Sequence, residues 1–279
     1  IARPVSGLAS ERRALEVAGR RVPHRVLGRD RALALIDRVA ASVVRRVRPD
    51  VVHAWPLAAR AALVAAREVG AAGLREAPNT HTGHAYRVVG EECARIGVEL
   101  PRTASHATNL RHLAIEREEW DEATAVLAPS AAVAASFVAN GHDPERILRH
   151  RYGARVEDAP FVRTPGRIPT VLFLGRIEPR KGLHHALRAW AGSRLRGRGR
   201  FLVVGDAIPD YARMLEPLLD QEGVEVRGFT RDPGALLAEA DVLVLPTVEE
   251  GSALVTYEAQ VAGCVPLVST AAGAHLDDG

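Results

Sequence analysis

One lysine, Lys181, stands among 37 lysines and arginines. A chain that uses arginine for every other fixed positive side chain and keeps one lysine marks a place where a compact ammonium serves better than a planar fork. Lys181 closes the run LGRIEPRKG, Leu174 to Gly182, with Arg176 near its start. A guanidinium and an ammonium so placed, before the N-terminus of a helix, can neutralise a diphosphate. The plainer alternative is a basic turn. Further on, PTVEEGSALVTYEAQVAGC, Pro246 to Cys264, carries Glu250 and Glu258 with seven residues between them. Ser252 is expected to cap a helix, which puts Glu258 nearly two turns inside it. Backbone N–H groups from Gly251 to Ala253 would then be free to hold a phosphate or sugar oxygen. A carboxylate at Glu258 can accept both hydroxyl protons of a cis-diol, as a ribose offers. Leu254, Val255, Ala259 and Ala262 make its helix face apolar, so a half-buried Glu258 is expected, costly unless it has a partner or ligand.

These residues need a scaffold, and the hydrophobic pattern supplies one. Strands fit Thr170–Leu174, Arg200–Val204, Val224–Arg227, Val242–Leu245 and Val265–Val268. Helices fit Gly182–Ala191, Asp210–Glu222, Pro233–Ala240 and Ser252–Ala262. Short valine-rich runs separated by helices indicate a parallel sheet buried on both faces, which binds ligands at the carboxyl ends of its strands. Earlier in the chain the alternation is weaker. Val43 to His53 reads as a helix end, a Pro-Asp turn and a strand. Leu57 to Val69 is helical and closed by Gly70, and Ala77 to Tyr86 is loop-like. Ala107 to Ala123 looks like an exposed helix. Ala125–Pro129 is a strand, and Ser130 caps a helix that ends near Asn140 and Gly141. Tyr152 to Pro169, rich in proline and glycine, reads as a linker. The expectation is therefore α/β, with two Rossmann-like parallel-sheet domains spanning 1–160 and 168–279.

Composition narrows the function classes. With 279 residues, 47% of them hydrophobic and 25% charged, the chain suits a globular protein of one large or two ordinary domains. No run approaches the roughly 18–20 apolar residues of a membrane span. The two cysteines, Cys93 and Cys264, form no CxxC pair, which disfavours a disulfide framework or cysteine-rich zinc site and favours a reducing compartment. A net charge of +3 without a dense basic block argues against nucleic acid; RLRGRGR, Arg194 to Arg200, reads as a solvated turn. The start at Ile1 has no signal pattern, and the sole methionine is Met214. The chain is therefore expected to begin inside a longer product.

LGRIEPRKG, VRGF (Val226 to Phe229), ADVLVLPTVEEGSALVTYEAQVAGCVPLVST and the closing DDG resemble the C-terminal half of family 4 glycosyltransferases, which have the GT-B architecture. The resemblance runs from about Thr170 to Gly279. It implies a retaining transferase that uses a nucleotide-activated sugar, usually without a bound metal or other cofactor. It also implies that Arg176 and Lys181 hold the donor diphosphate and that Glu258 binds the ribose. Glu250, with the backbone of Gly251, Ser252, Ala253 and Leu254, would meet the donor sugar, and the base would lie against Arg227, Gly228 and Phe229. DVVHAWP, NTHTGHAY, LAPSAAVAASFVANG and RYGARVED fit the family's N-terminal half more weakly. There a histidine reaches the reaction centre, and His81 is the best match, ahead of His84 and His53. With eleven histidines present, a loop-capping role is the alternative. The resemblance implies a nucleotide-sugar donor, a carbohydrate, lipid-linked or small-molecule acceptor, and a cytoplasmic setting. Contact with the inner face of a membrane stays open, with no basic amphipathic helix in its favour.

Three departures stand out. The family's first glycine-rich loop is missing, and the chain stops before the family's last strand and crossing helices. Both are expected of a fragment with two incomplete domains. The usual Gly-Gly-x-Pro-Glu segment reads Ala272-Gly273-Ala274-His275. A sugar-nucleotide-binding protein without catalysis, or an epimerase of the same architecture, are the rival readings. A dinucleotide oxidoreductase is the weakest, since no GxGxxG follows a strand.

Overall fold

The computed structural model describes residues 28–154 and 167–276. The closing DDG, the first residues and most of the expected linker lie outside the described residues, as does much of the boundary expected between 160 and 168. In chain order the described helices and strands are α1 (Arg29–Val47), β1 (Val51–Ala54), α2 (Arg60–Val69), β2 (Ala72–Glu76), α3 (Thr82–Ile96), α4 (Leu110–Glu122), β3 (Ala125–Ala128), α5 (Ala131–Ala139) and β4 (Ile147–Arg149). After the gap come β5 (Thr170–Leu174), α6 (Leu183–Ala191), β6 (Arg200–Val204), α7 (Pro209–Leu219), β7 (Val224–Gly228), α8 (Pro233–Glu239), β8 (Val242–Leu245), α9 (Leu254–Val261) and β9 (Val265–Val268).

The strands form two sheets, β1-β2-β3-β4 and β7-β6-β5-β8-β9. Pairing is parallel from β1 through β3 and throughout the second sheet. Both are Rossmann-like, and the α/β class expected from the sequence holds.

Contacts divide the chain into two compact units. The first comprises Asn109–Leu127, Asp143–Leu148 and the described part of Ile1–Ala77. In it, Asp37 of α1 accepts the backbone N–H groups of Ala61 and Ala62, so a neighbouring helix caps α2 in place of a local side chain. The helix expected to be exposed at 107–123 is α4, and one face of it is buried. Glu116 and Glu119 project inward to the buried guanidinium of Arg75, at 2.9 Å each, and Arg75 lies over Trp120. Glu119 also accepts the N–H groups of Leu57 and Ala59. Charge density reads as solvent exposure in a sequence, but here a buried arginine on β2 draws the carboxylates in.

The second unit comprises Pro78–Thr108, Ala128–His142 and the described part of Arg149–Gly279. Its sheet is covered on both faces. Phe173, Phe201 and Val203 pack with Leu183, Leu187, Trp190, Tyr211 and Leu215 on one side. The alternate residues Leu172, Leu202 and Val204 pack with Leu237, Leu243, Ala259 and Cys264 on the other. This period-two division is what a doubly covered parallel strand requires. Crossovers from β5 run outward to β6 and β7, while β8 and β9 lie on the other side of β5. The order therefore reverses between β5 and β8, and the crevice beyond their carboxyl ends is the favoured ligand site of such a sheet.

Candidate functional site

The loops after β5 and β8 flank that crevice and are fastened to each other. After Leu174 the chain makes a 3₁₀ turn, Pro179–Lys181, and then Gly182 at φ 68°. A Cβ at Gly182 would strike the carbonyl oxygen of Pro246, so this position needs glycine for both its backbone angle and its clearance. Val248 N–H and the Thr247 hydroxyl both donate to the Arg180 carbonyl, at 2.9 and 2.8 Å. The loop that carries Lys181 and the loop that carries Glu250 thus meet at one corner.

Lys181 Nζ contacts Oε2 of Glu250, and Arg180 approaches the same oxygen at 2.9 Å. Glu250 is almost fully buried. Burial pushes its pKa up, but Arg180 and Lys181 outweigh that and hold it below the ordinary value. Arg176, by contrast, is half exposed, with Nε 3.7 Å from Glu178. It lines a cavity of about 420 Å³ with Gly175, Asp206, Phe229 and Thr230, at the carboxyl ends of β5, β6 and β7. The structure therefore joins Lys181 to Glu250 and sets Arg176 and Phe229 around a neighbouring space.

The remaining expected positions are more varied. Arg227 turns its side chain to Glu225 at 3.0 Å and does not line that cavity; Gly228 ends β7 and its carbonyl accepts Gly205 N–H at 2.8 Å. Ser252 does not cap α9, which begins at Leu254 after Ala253; its hydroxyl lies 2.9 Å from that of Tyr257. Nor is the Ala253 N–H free, since it donates to the Ala272 carbonyl. Glu258 is exposed rather than half-buried. Thr256 and Ala259 are the residues that α9 buries. Leu254 and Val261, on the same helical stripe as Glu258, then face outward with it. An exposed carboxylate needs no internal partner and is open to a ligand.

His81 is buried as the N-cap of α3, where Nδ1 accepts Gly83 N–H at 3.2 Å and its ring packs 5.4 Å from Phe137. This is the capping role weighed as its alternative. His84 lies beside Arg87, and burial, then Arg87, lower its pKa. His53, in the first unit, pairs with Glu76 at 2.9 Å. In the altered segment, His275 sits 3.1 Å from the Pro129 carbonyl. One group of metal-ligating type occurs among the described residues: Glu92, His184 and His185.

Sequence reasoning missed Glu249, the neighbour of Glu250. It is fully buried, accepts both the N–H and the hydroxyl of Thr80 at 3.1 and 2.7 Å, and has His106 Nε2 at 3.2 Å. Burial pushes its pKa up, but His106, Arg180 and the Thr80 hydroxyl bring it down to about 2. Its partners lie far away in sequence, so no local pattern signals it. The adjacent Gly251 is equally constrained, because a Cβ there would strike the Pro78 carbonyl oxygen. Gly251→Ala is expected to cost about 1–3 kcal/mol of stability by overpacking. Urea unfolding checks this; an unchanged midpoint would mean that the Pro78 segment yields without cost.

Comparison with known proteins gives consistent matches. A family model described as "Glycosyl transferases group 1" matches residues 168–279. The "Putative colanic acid biosynthesis glycosyltransferase WcaL" of Salmonella typhimurium is 30% identical over 145 residues, 47% of this chain and 35% of that protein. The "Uncharacterized glycosyltransferase MJ1607" of Methanocaldococcus jannaschii is 32% identical over 109 residues, 37% of this chain and 27% of that protein. The chain thus spans about a third of the length of the curated relatives it matches. Among solved structures, Anabaena HepE in complex with UDP and glucose aligns over 86% of this chain and 65% of its own, at 19% identity and TM-score 0.57. Sucrose-phosphate synthase from Thermosynechococcus elongatus aligns over 90% of this chain and 63% of its own, at 17% identity and TM-score 0.61. These structures share the fold of two Rossmann-like sheets.

Proposed function

We propose that the protein is a glycosyltransferase that moves a sugar from a nucleoside-diphosphate donor to a hydroxyl acceptor with retention of anomeric configuration. The observation that carries this reading is the Lys181–Glu250 contact at the switch point of the second sheet, beside a cavity lined by Arg176. The HepE complex with UDP and the group 1 match over the same region support it. On this reading Arg176 and Lys181 neutralise the leaving diphosphate, and no metal is needed there. Glu250 orients sugar hydroxyls, Glu258 holds the ribose diol, and the base lies near Phe229. The acceptor oxygen bonds to the anomeric carbon on the face from which the phosphate oxygen departs, and the hydroxyl proton passes to that phosphate. His81 is retained as the N-terminal contribution near the reacting sugar. The region 168–279 is assigned to the donor and 1–160 to the acceptor, in a cytoplasmic setting. Among the described residues no helix is long and apolar enough to cross a membrane.

Calorimetric titration with UDP, GDP, ADP and their sugars tests the site. Glu258→Ala is expected to weaken nucleotide binding by about 1.5–3 kcal/mol, through loss of charged hydrogen bonds to the ribose. The exposure of Glu258 predicts an unchanged melting temperature without ligand. Equal affinity in the variant would remove Glu258 from the site. The altered Ala272–His275 segment favours a second reading, donor binding without transfer, which measurable transfer or donor hydrolysis by the protein would exclude.

A further inference from the structure

We propose that Glu92, His184 and His185 form a binding site for one divalent ion of the zinc class, independent of the diphosphate reading above. Nε2 of His184 and Nε2 of His185 lie 2.7 and 2.9 Å from the same carboxylate oxygen, Oε1 of Glu92. All three donor atoms fall within 4.8 Å of one another. Two imidazoles and a carboxylate are a donor set that zinc takes with a fourth position left to water.

The convergence is built rather than incidental. Adjacent residues of a helix point about 100° apart, yet the two rings at the start of α6 turn to one spot, their centroids 3.9 Å apart. Glu92 reaches that spot from α3, and its other oxygen is taken by Arg95. Glu92 and His184 are buried, while His185 is 39% exposed in its side chain, which gives an ion a route from solvent.

The surroundings also orient the ligands. The fully buried Tyr211 hydroxyl accepts the His184 backbone N–H at 3.1 Å and lies 2.7 Å from His184 Nδ1. The phenol accepts Nδ1–H or donates its own proton to Nδ1, according to the tautomer of His184. In the Nδ1–H tautomer the Nε2 lone pair faces Glu92, an arrangement that a metal ion between them stabilises; in the other tautomer Nε2–H donates to Glu92 at 2.7 Å. A partner on the far nitrogen of a ligating histidine is the usual outer layer of a zinc site. An ion here would tie α3 to the helix that follows Lys181, and so brace the corner from behind.

Between Nε2 of His184 and Glu92 lies either a metal ion or the Nε2 proton of the imidazole, and titration separates the two. The full chain is titrated with Zn²⁺ against a chromophoric chelator, and with Co²⁺ followed by visible absorption. The expected result is one ion per chain, with affinity about 10–100-fold weaker in Tyr211→Phe and a larger loss in His185→Gln and Glu92→Gln. His185→Gln changes a partly exposed residue and keeps a hydrogen-bonding side chain, so it tests the ligand without emptying the core. Zinc should also raise the melting temperature of the wild type but not of that variant. No ion bound by the wild type would overturn the proposal in favour of a protonated hydrogen-bond cluster. Unaltered binding in His185→Gln and Glu92→Gln would overturn it by placing the ion elsewhere.

Discussion

Lys181→Ala is expected to lower kcat for sugar transfer by about 10²–10³-fold, equivalent to about 2.7–4 kcal/mol of barrier. The size follows from when the charge is needed. Negative charge on the diphosphate grows as the sugar–phosphate bond breaks, so a fixed cation there stabilises the transition state more than the bound donor. A loss concentrated in kcat, with a smaller change in KM, is the corresponding kinetic signature. In the present structure Lys181 rests on Glu250, which already has Arg180 at 2.9 Å. Removing the lysine therefore leaves the buried carboxylate with a cation, and the melting temperature should change little. Lys181→Arg is not expected to restore full activity. Its planar fork needs more room than a compact ammonium, and the corner between Pro246 and Glu250 is closely packed. Steady-state kinetics with thermal unfolding of the same variants decides the matter. Normal transfer by a folded Lys181→Ala protein would exclude this lysine as the diphosphate cation and shift that role wholly to Arg176.

The second sheet is almost entirely legible in the sequence, and the reason is physical. Strands such as Arg200–Val204 and Val242–Leu245 are buried on both faces, so nearly every residue is apolar and the run is unmistakable. Where burial is satisfied by charge, the pattern misleads. Strand β2, AGLRE, carries Arg75 and Glu76 inside and so shows no apolar run in the sequence. The first turn of α3 is small and polar and reads as loop up to Tyr86, although His81 caps it. Lys181 and Glu250, singled out in the sequence by residue type and spacing, are in contact, and Arg176 lines a cavity. The exposure of Glu258 is not legible in the sequence: α9 starts one residue later than a Ser252 cap implies, and Glu258 lies on its outward stripe with Leu254 and Val261. Glu249 was invisible for a different reason. Its partners, Thr80 and His106, are more than a hundred residues away, and only the folded chain brings them to it.

Glu249→Gln is expected to cost about 3–5 kcal/mol of stability at neutral pH, the usual penalty for breaking a buried charge network by removing one partner. The carboxylate is surrounded by groups that need a negative acceptor: two donors from Thr80, the His106 ring, and Arg180 at 3.7 Å. A carboxamide keeps one acceptor oxygen for Thr80 but turns an NH₂ group toward His106 or Arg180, and leaves the buried guanidinium with less compensating charge. Acid titration gives an independent check on sign. The Glu249 pKa falls from an ordinary 4.5 to about 2 in the folded chain. A depressed carboxylate binds protons more readily when unfolded, so its stabilisation is fully present above about pH 4.5 and is lost as pH falls toward 2. Glu250, also depressed, contributes in the same direction. Unfolding free energy of the wild type should therefore be flat around neutrality and decline below about pH 4.5, while Glu249→Gln starts lower and declines less steeply across that window. Equal slopes in the two proteins would show that Glu249 does not carry the acid sensitivity. A loss below about 1 kcal/mol at neutral pH would mean that the Thr80 and His106 contacts are replaced by solvent at little cost. If the predicted loss is found together with weaker nucleotide binding, the corner that holds Glu250 depends on Glu249 for its shape, because Arg180 bridges the two.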